Sequence, residues 1–255
     1  MKLHLKRGNH DADVERLITL VDKKHKSAFE TYLCKQPYVS KFAYLDLLGT
    51  KAFRQNDLNG AFKAFSQIPE QYLNARQRLV FYPPEVASIK YLRDPLGQID
   101  TSIRKCNKKT FVKWIIDKKH ESIRNPGNSA EIFISLAYAY LDCTYHGNSW
   151  KMMNYFRGSQ FDHASPWEYE YIFGDMSETI KQNKAFFNNY YYSDIAKEYF
   201  KKVKASGLSR ERQAEVHFML FNGTEQYFKD FCKYSSTKFY EEYGSCIGAD
   251  SYCGY

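Results

Sequence analysis

The sequence lacks the short motifs by which enzymes and metal proteins are usually recognised. It has no G-x-S-x-G nucleophile turn, no phosphate-binding P-loop and no G-x-G-x-x-G dinucleotide turn. None of its seven histidines stands in a zinc spacing such as H-E-x-x-H. Asp162 and His163 are adjacent in a polar segment, but adjacency in sequence does not make two side chains face each other. We therefore expect neither catalysis nor a bound metal or cofactor.

Long apolar runs are also missing. No stretch approaches the roughly 18 apolar residues that span a bilayer. The N-terminal MKLHLKRGNHDADVERL has no apolar core of the kind that defines a signal peptide. We predict no membrane span and no signal peptide here, while cytoplasmic and exported locations both stay open. Sustained alternation of polar and apolar residues is absent too, which argues against β-hairpins.

The six cysteines show no tight pairing and no C-x-x-C. Cys143 and Cys232 stand among apolar residues on helical patterns, so we predict that they are buried small hydrophobic residues. Cys246 and Cys253 share the tail CIGADSYCGY and would be able to pair in an oxidising compartment.

Aromatic residues, in contrast, are abundant: 22 Tyr, 19 Phe and 3 Trp make up 17% of the chain. Such rings commonly pack between helices, with the tyrosine hydroxyl reaching water or a carbonyl oxygen. That packing role is our main interpretation. A surface on which sugars or bases stack is the alternative.

Positive charge is concentrated in the first half of the chain. Residues 1–130 hold 24 Lys and Arg against 13 Asp and Glu, a net charge of +11, whereas residues 131–255 hold 13 against 16, a net charge of −3. An acidic partner or a nucleic acid would suit the first half, although solvated lysines on a helix surface explain such an excess more often.

A basic helix is predicted from about Thr110 to Ile123, with Phe111 and Ile115 on its apolar side. Lysines four residues apart form a positive ridge opposite that side. The candidate contacts to a nucleic acid or an acidic protein are Lys105, Lys108, Lys109, Lys113, Trp114, Lys118 and Lys119. An ordinary solvated helix face is the alternative.

Helical periodicity recurs along the chain. Val14, Leu17, Ile18 and Val21 follow Asp11 and Asp13 with the spacing of an amphipathic helix, and a second short helix carries Phe29, Tyr32 and Leu33. Further helices are predicted through to about Tyr243. The fold class that follows is all-α, built from antiparallel helix pairs. We expect one domain over residues 1–255, with possible looser helices at 11–36 and a tail at 244–255.

One helix pair carries a recognisable pattern, LDLLGTKAFRQNDLNGAFKAFSQIP, at residues 45–69. Gly49 and Ala61 are small, so the two backbones can approach closely, and Phe65 fills the groove between them. The predicted packing residues of this pair are Leu45, Leu48, Gly49, Ala52, Ala61, Phe65 and Ile68. A weaker copy has Leu136, Ala137 and Tyr140 followed by Ser149 and Met153, and a half-copy has Ala196, Phe200 and Val203.

This pair resembles a tetratricopeptide repeat, with a Leu-Gly pair, Ala and a large residue four further on, and Pro near the end. The resemblance implies a right-handed α-α superhelix, irregular because the copies are unevenly spaced. More narrowly, RDPLGQID, LAYAYLDCTYHGNSW and FFNNYYYSDIAKEYFKKV resemble a group of uncharacterised bacterial tetratricopeptide-like proteins. That group carries a Cys- and His-rich stretch after the DPL turn, where this sequence has Cys106 alone.

The functional expectation that results is a non-catalytic scaffold whose concave helical surface binds a protein or peptide. Two alternatives stay open: nucleic-acid or polyanion binding through the basic N-terminal half, and carbohydrate binding through exposed aromatic residues.

Overall fold

The structure, a computed structural model, describes residues 11–36, 39–74, 106–144, 147, 149–153, 189, 193–203, 207–221, 225–244 and 253. The regular elements in these ranges are eleven α-helices and two 3-10 turns, with no strand among them. The all-α prediction is confirmed. The α-helices are α1 Asp11–Asp22, α2 Ala28–Cys34, α3 Lys41–Arg54, α4 Leu58–Ser66, α5 Glu70–Asn74, α6 Lys108–Arg124, α7 Ser129–Asp142, α8 Asp194–Lys201, α9 Arg210–Leu220, α10 Glu225–Cys232 and α11 Lys238–Tyr243.

Several sequence predictions fall outside the described residues. These are the short helix at 86–92, the turn at 94–97, the loop at 158–166, the helix at 167–173, most of the helix at 175–190, and the residues Lys105, Asp162, His163 and Cys246.

The chain folds as two compact units. The first comprises Met1–Leu92, Thr101–Ile116 and Asp142–Ser193, and the second comprises Arg93–Asp100, Asp117–Leu141 and Asp194–Tyr255. A single repeat domain over residues 1–255 stays a prediction, because the helices of a solenoid also group with their neighbours.

Side-chain caps start several helices. Ser27, Asp57, Ser209 and Thr237 each accept a hydrogen bond from a backbone N–H in the first turn. Asn128 and Glu131 have the spacing of a capping box in the sequence, and α7 begins at Ser129, directly after a 3-10 turn at residues 126–128. The helix predicted to start at Ser149 is instead a 3-10 turn, Trp150–Met153, within the described residues.

The tightest packing in the first unit joins α3 and α4. A Cβ atom added to Gly49 would lie 2.5 Å from the Phe65 ring, so the ring sits where any larger residue would collide with it. Ala61 and Phe65 have no exposed surface, and Leu45 and Ile68 are almost fully buried. Leu48 and Ala52 are partly buried.

Helix α1 is anchored to the first unit by apolar contacts. Val14 is fully buried and forms a cluster with Tyr44 and Leu47 of α3. Leu48 packs against the same cluster, so the α3 side chains divide between two neighbours, α1 and α4.

Gly49→Ala tests the close approach of α3 and α4. Alanine favours a helix over glycine by about 1 kcal/mol, but overpacking a buried ring costs about 1–3 kcal/mol. Because the Phe65 ring is fully enclosed, the upper part of the overpacking range applies. We expect a net loss of about 1–2 kcal/mol in unfolding free energy, measured by urea denaturation. Gly127→Ala is the matched control, since its Cβ would meet nothing within 4 Å. A Gly49→Ala variant as stable as the control would contradict this packing.

An aromatic cluster forms the core of the second unit beside α9, α10 and α11. Its buried members are Ala214, Phe228, Phe231, Phe239 and Tyr240. A disulfide joins Cys232 at the end of α10 to Cys253 in the tail, and Tyr240 donates a hydrogen bond to Cys253 Sγ at 3.1 Å. Our interpretation of Cys232 as a simple buried hydrophobic residue is therefore wrong, and Cys253 pairs with it rather than with Cys246.

Removing this disulfide should destabilise the second unit. The bond closes a loop with a sequence separation of 21, and chain entropy predicts a contribution of about 3 kcal/mol for a loop of this length. We expect Cys253→Ser, or reduction of the wild type, to lower the unfolding free energy by that order. Cys34→Ser and Cys246→Ser are controls and should leave it unchanged. A loss in the Cys246 variant instead would indicate the other pairing.

Candidate functional site

Helix α2 is held in place by polar bonds near its start. Ser27 Oγ accepts the Glu30 N–H at 3.2 Å, and Glu30 Oε2 accepts the Ser27 N–H at 2.7 Å, which completes a capping box. Lys23 Nζ donates to Glu30 Oε1 at 2.7 Å, and this bond lowers the pKa of Glu30. None of the side chains of α2 is buried. Local hydrogen bonds, rather than burial against a neighbour, therefore support the helix.

Two large aromatic side chains project from one side of α2. Phe29 is 68% exposed and Tyr32 is 62% exposed, and residues three apart in a helix are neighbours on its surface. Within the described ranges, Ile123 is the one other large apolar side chain with comparable exposure. An isolated exposed apolar residue is ordinary, but an adjacent pair indicates an interaction surface.

Exposed basic residues flank this pair in the chain. Lys24 and His25 precede α2, and Lys35 follows it, all with exposed side chains. Other cations nearby are already engaged, since Lys41 pairs with Asp22 and Lys26 Nζ donates to the Val21 carbonyl at 2.9 Å. We define the α2 surface as Lys24, His25, Phe29, Tyr32 and Lys35.

The basic helix predicted from sequence is α6, but its lysines do not form one free ridge. Lys113 is exposed, Lys109 is partly exposed, and Lys118 donates to Glu121 at 2.9 Å. Lys119 is partly buried, and burial followed by the charge of Lys202 lowers its pKa. Trp114 is partly buried and stacks on Phe111 with ring centroids 6.4 Å apart.

Lys108 is the clearest exception to the prediction that the α6 lysines contact a partner. Its side chain is buried, with Nζ 2.8 Å from Asp46 Oδ1 and 3.0 Å from Thr50 Oγ1, both on α3. The ammonium group also lies 5.7 Å from the centroid of the Phe65 ring. Burial lowers the pKa of Lys108, and the attraction of Asp46 opposes that shift. Lys108 therefore holds α6 to α3 and is not available to a partner.

The Lys108–Asp46 pair should be essential to the stability of the first unit. Lys108→Met leaves the fully buried Asp46 without its cation, and such a loss costs about 3–5 kcal/mol. Lys113→Met on the same helix is the control and should cost less than about 1 kcal/mol, because its side chain is exposed. The double variant Lys108→Met with Asp46→Leu should recover part of the loss. Equal stability of the two single variants in urea would refute this role.

The second unit also contains a buried charged cluster. Arg212 on α9 is 1% exposed, with its guanidinium 2.7 Å from Glu215 Oε2 and 3.0 Å from Glu131 Oε2 on α7. Tyr138 on α7 donates its hydroxyl to the other oxygen of Glu215. Arg212, Glu215 and Tyr138 are buried and bond to one another, and the partly exposed Glu131 adds a second carboxylate to Arg212. Such mutual pairing is the condition for burying charge without a large penalty.

Of the repeat-packing residues predicted beyond the first pair, Leu136, Ala137, Tyr140, Ala196 and Phe200 belong to the second unit, whereas Ser149 and Met153 belong to the first. Leu136 and Ala137 have no exposed surface, and Tyr140, Ala196 and Phe200 are almost fully buried. Tyr138 meets Phe200 edge-on with ring centroids 5.4 Å apart, and Tyr140 stacks on Tyr199 at 5.7 Å. Aromatic residues thus pack between α7 and α8.

No protein-family model, curated protein or solved structure matches the chain. Across the described ranges, no group of three His, Cys, Asp or Glu side chains is placed to hold a metal ion. None of the described helices combines the length and apolar character needed to cross a membrane. The site with the clearest physical signal is therefore the α2 surface.

Proposed function

We propose that this chain is a non-catalytic helical scaffold, tetratricopeptide-like in architecture and arranged as a right-handed α-α superhelix, that binds another protein. The nesting of Phe65 against Gly49 supports the architecture. The observation that carries the binding function is the pair Phe29 and Tyr32, exposed on a helix whose side chains are all outside the core.

The partner is an acidic protein segment that carries apolar side chains. Aromatic side chains are the commonest energetic anchors of protein interfaces, and Phe29 with Tyr32 supplies two of them. The exposed Lys24 and Lys35 flank these anchors in the chain, and their positive charge attracts an acidic segment and orients it. Binding would bury the apolar side of α2, which the described part of the chain leaves exposed.

Selection from a displayed library of random peptides tests this proposal. Wild-type protein should enrich acidic peptides with aromatic or aliphatic residues. The variant Phe29→Ser with Tyr32→Ser should lose at least about tenfold in affinity for synthetic copies of these peptides, because each interface anchor contributes about 2 kcal/mol. Fluorescence anisotropy measures the affinity.

Ile123→Ser is the matched control, because Ile123 is the most exposed large apolar residue described and lies on α6 rather than α2. It should bind as the wild type does. The double variant should stay close to wild-type thermal stability, since most of the surface that it removes is exposed. Enrichment of basic or sequence-independent peptides, or equal binding by the double variant, would contradict the proposal.

Nucleic-acid binding is the alternative that the same preparations can test. A polyanion contact predicts affinity for labelled poly(U) that falls steeply with added salt, because binding releases counterions and their release is less favourable at high salt. We expect weak binding, because Lys108 is buried and Lys118 is paired with Glu121. Tight, salt-sensitive binding that survives the Phe29→Ser with Tyr32→Ser change would favour the nucleic-acid function instead.

A further inference from the structure

The second unit contains a pocket between α8 and α9, bordered by Tyr227 of α10, with a volume of about 220 Å³. Its walls are mainly apolar and are formed by Phe200, Val203, Leu208, Val216 and Leu220. This pocket is separate from the α2 surface, which lies in the first unit.

The volume limits what the pocket can hold. A cavity of about 150 Å³ accepts benzene, whereas drug-sized ligands occupy pockets from about 300 Å³ upward. At 220 Å³ the pocket fits a compound of one or two rings. Aromatic groups among the lining side chains, Phe200, His217 and Tyr227, favour a flat aromatic ligand over an aliphatic one.

Most polar groups in the walls already have partners. Gln213 Nε2 donates to the Leu208 carbonyl at 2.8 Å, and its oxygen accepts the Tyr234 hydroxyl at 3.0 Å. Lys201 Nζ donates to Glu198 at 2.8 Å. Because the lysine charge is neutralised by a carboxylate, the pocket does not favour a charged ligand.

His217 differs from these groups. Its ring stacks on Tyr234 with centroids 5.2 Å apart, and burial lowers its pKa, so the imidazole is neutral at pH 7. Nδ1 is covered and makes no hydrogen bond. Buried N–H groups without a partner are rarer than unpaired acceptors, so the proton belongs on Nε2. His217 lines the pocket and is only partly buried. Because Nδ1 is the covered nitrogen, Nε2 is the ring nitrogen left to meet a ligand there.

We propose that this pocket binds a neutral aromatic compound of one or two rings that carries one hydrogen-bond acceptor, and that His217 Nε2 donates to that acceptor. The apolar walls supply affinity, and the imidazole selects the acceptor-bearing compound over a hydrocarbon of the same shape.

Quinoline and naphthalene test both parts of this proposal, because they share a shape and only quinoline has an acceptor nitrogen. Binding to the full-length protein is measured by saturation-transfer NMR. Wild type should bind quinoline about tenfold more tightly than naphthalene, the preference expected from one hydrogen bond. His217→Phe keeps a ring beside Tyr234 and should abolish the preference while retaining naphthalene. His217→Gln supplies another N–H and should restore part of it.

Leu208→Trp is designed to fill the pocket from its rim, where Leu208 is partly exposed, and should abolish binding of both compounds. Thermal unfolding followed by circular dichroism establishes that each variant is folded. A wild type that binds neither compound, an unchanged preference in folded His217→Phe, or full binding by folded Leu208→Trp would each overturn the proposal. Phe29→Ser with Tyr32→Ser should bind quinoline normally, so this result is independent of the proposed protein interface.

Discussion

Buried cations that must pair with carboxylates constrain both units of this protein. Lys108 meets Asp46 in the first unit, and Arg212 meets Glu131 and Glu215 in the second. The Lys108–Asp46 pair joins α6 to α3 and the Arg212–Glu131 pair joins α9 to α7, while Arg212–Glu215 lies within α9. Losing one partner would leave a charge buried at a cost of several kcal/mol. Apolar packing alone allows helices to slide or rotate with small penalties. These ion pairs penalise such shifts, so they select which helix faces meet.

Apolar periodicity located the helices and the nesting of α3 on α4, but it could not locate these ion pairs. A lysine or arginine on a predicted helix is normally assigned to the surface, and Lys108 was assigned there for that reason. The carboxylates that pair with Lys108 and Arg212 from other helices, Asp46 and Glu131, are distant from them in sequence. One signal was present: the α9 sequence RERQAEVHFML has no continuous apolar stripe, because Arg212 and Glu215 occupy part of its inner face.

In helix α2, apolar periodicity predicts the helix but not the exposure of its aromatic side chains. Phe29, Tyr32 and Leu33 fit an amphipathic helix, and such a pattern normally predicts burial. The helix forms, yet Phe29 and Tyr32 stay exposed. The capping box and the bond from Lys23 to Glu30 stabilise the first turn of the helix locally, without burial of Phe29 or Tyr32. The disulfide shows a related limit of sequence proximity. Cys246 is the cysteine nearest to Cys253 in sequence, but packing of the aromatic cluster brings Cys232 beside Cys253 instead.

The ion pairs also change how the net charge of the first half should be interpreted. Its excess of +11 includes Lys41 and Lys51, which pair with acidic residues of α1, and Lys108, which is buried. Each of these ion pairs neutralises one lysine and one carboxylate, so the net positive charge of the first half is unchanged. The number of lysines that can bind a polyanion is smaller. A diffuse positive field of this kind would steer the proposed acidic partner over distance. The contact energy must then come from apolar surface, and the described part of the first unit offers it at Phe29 and Tyr32.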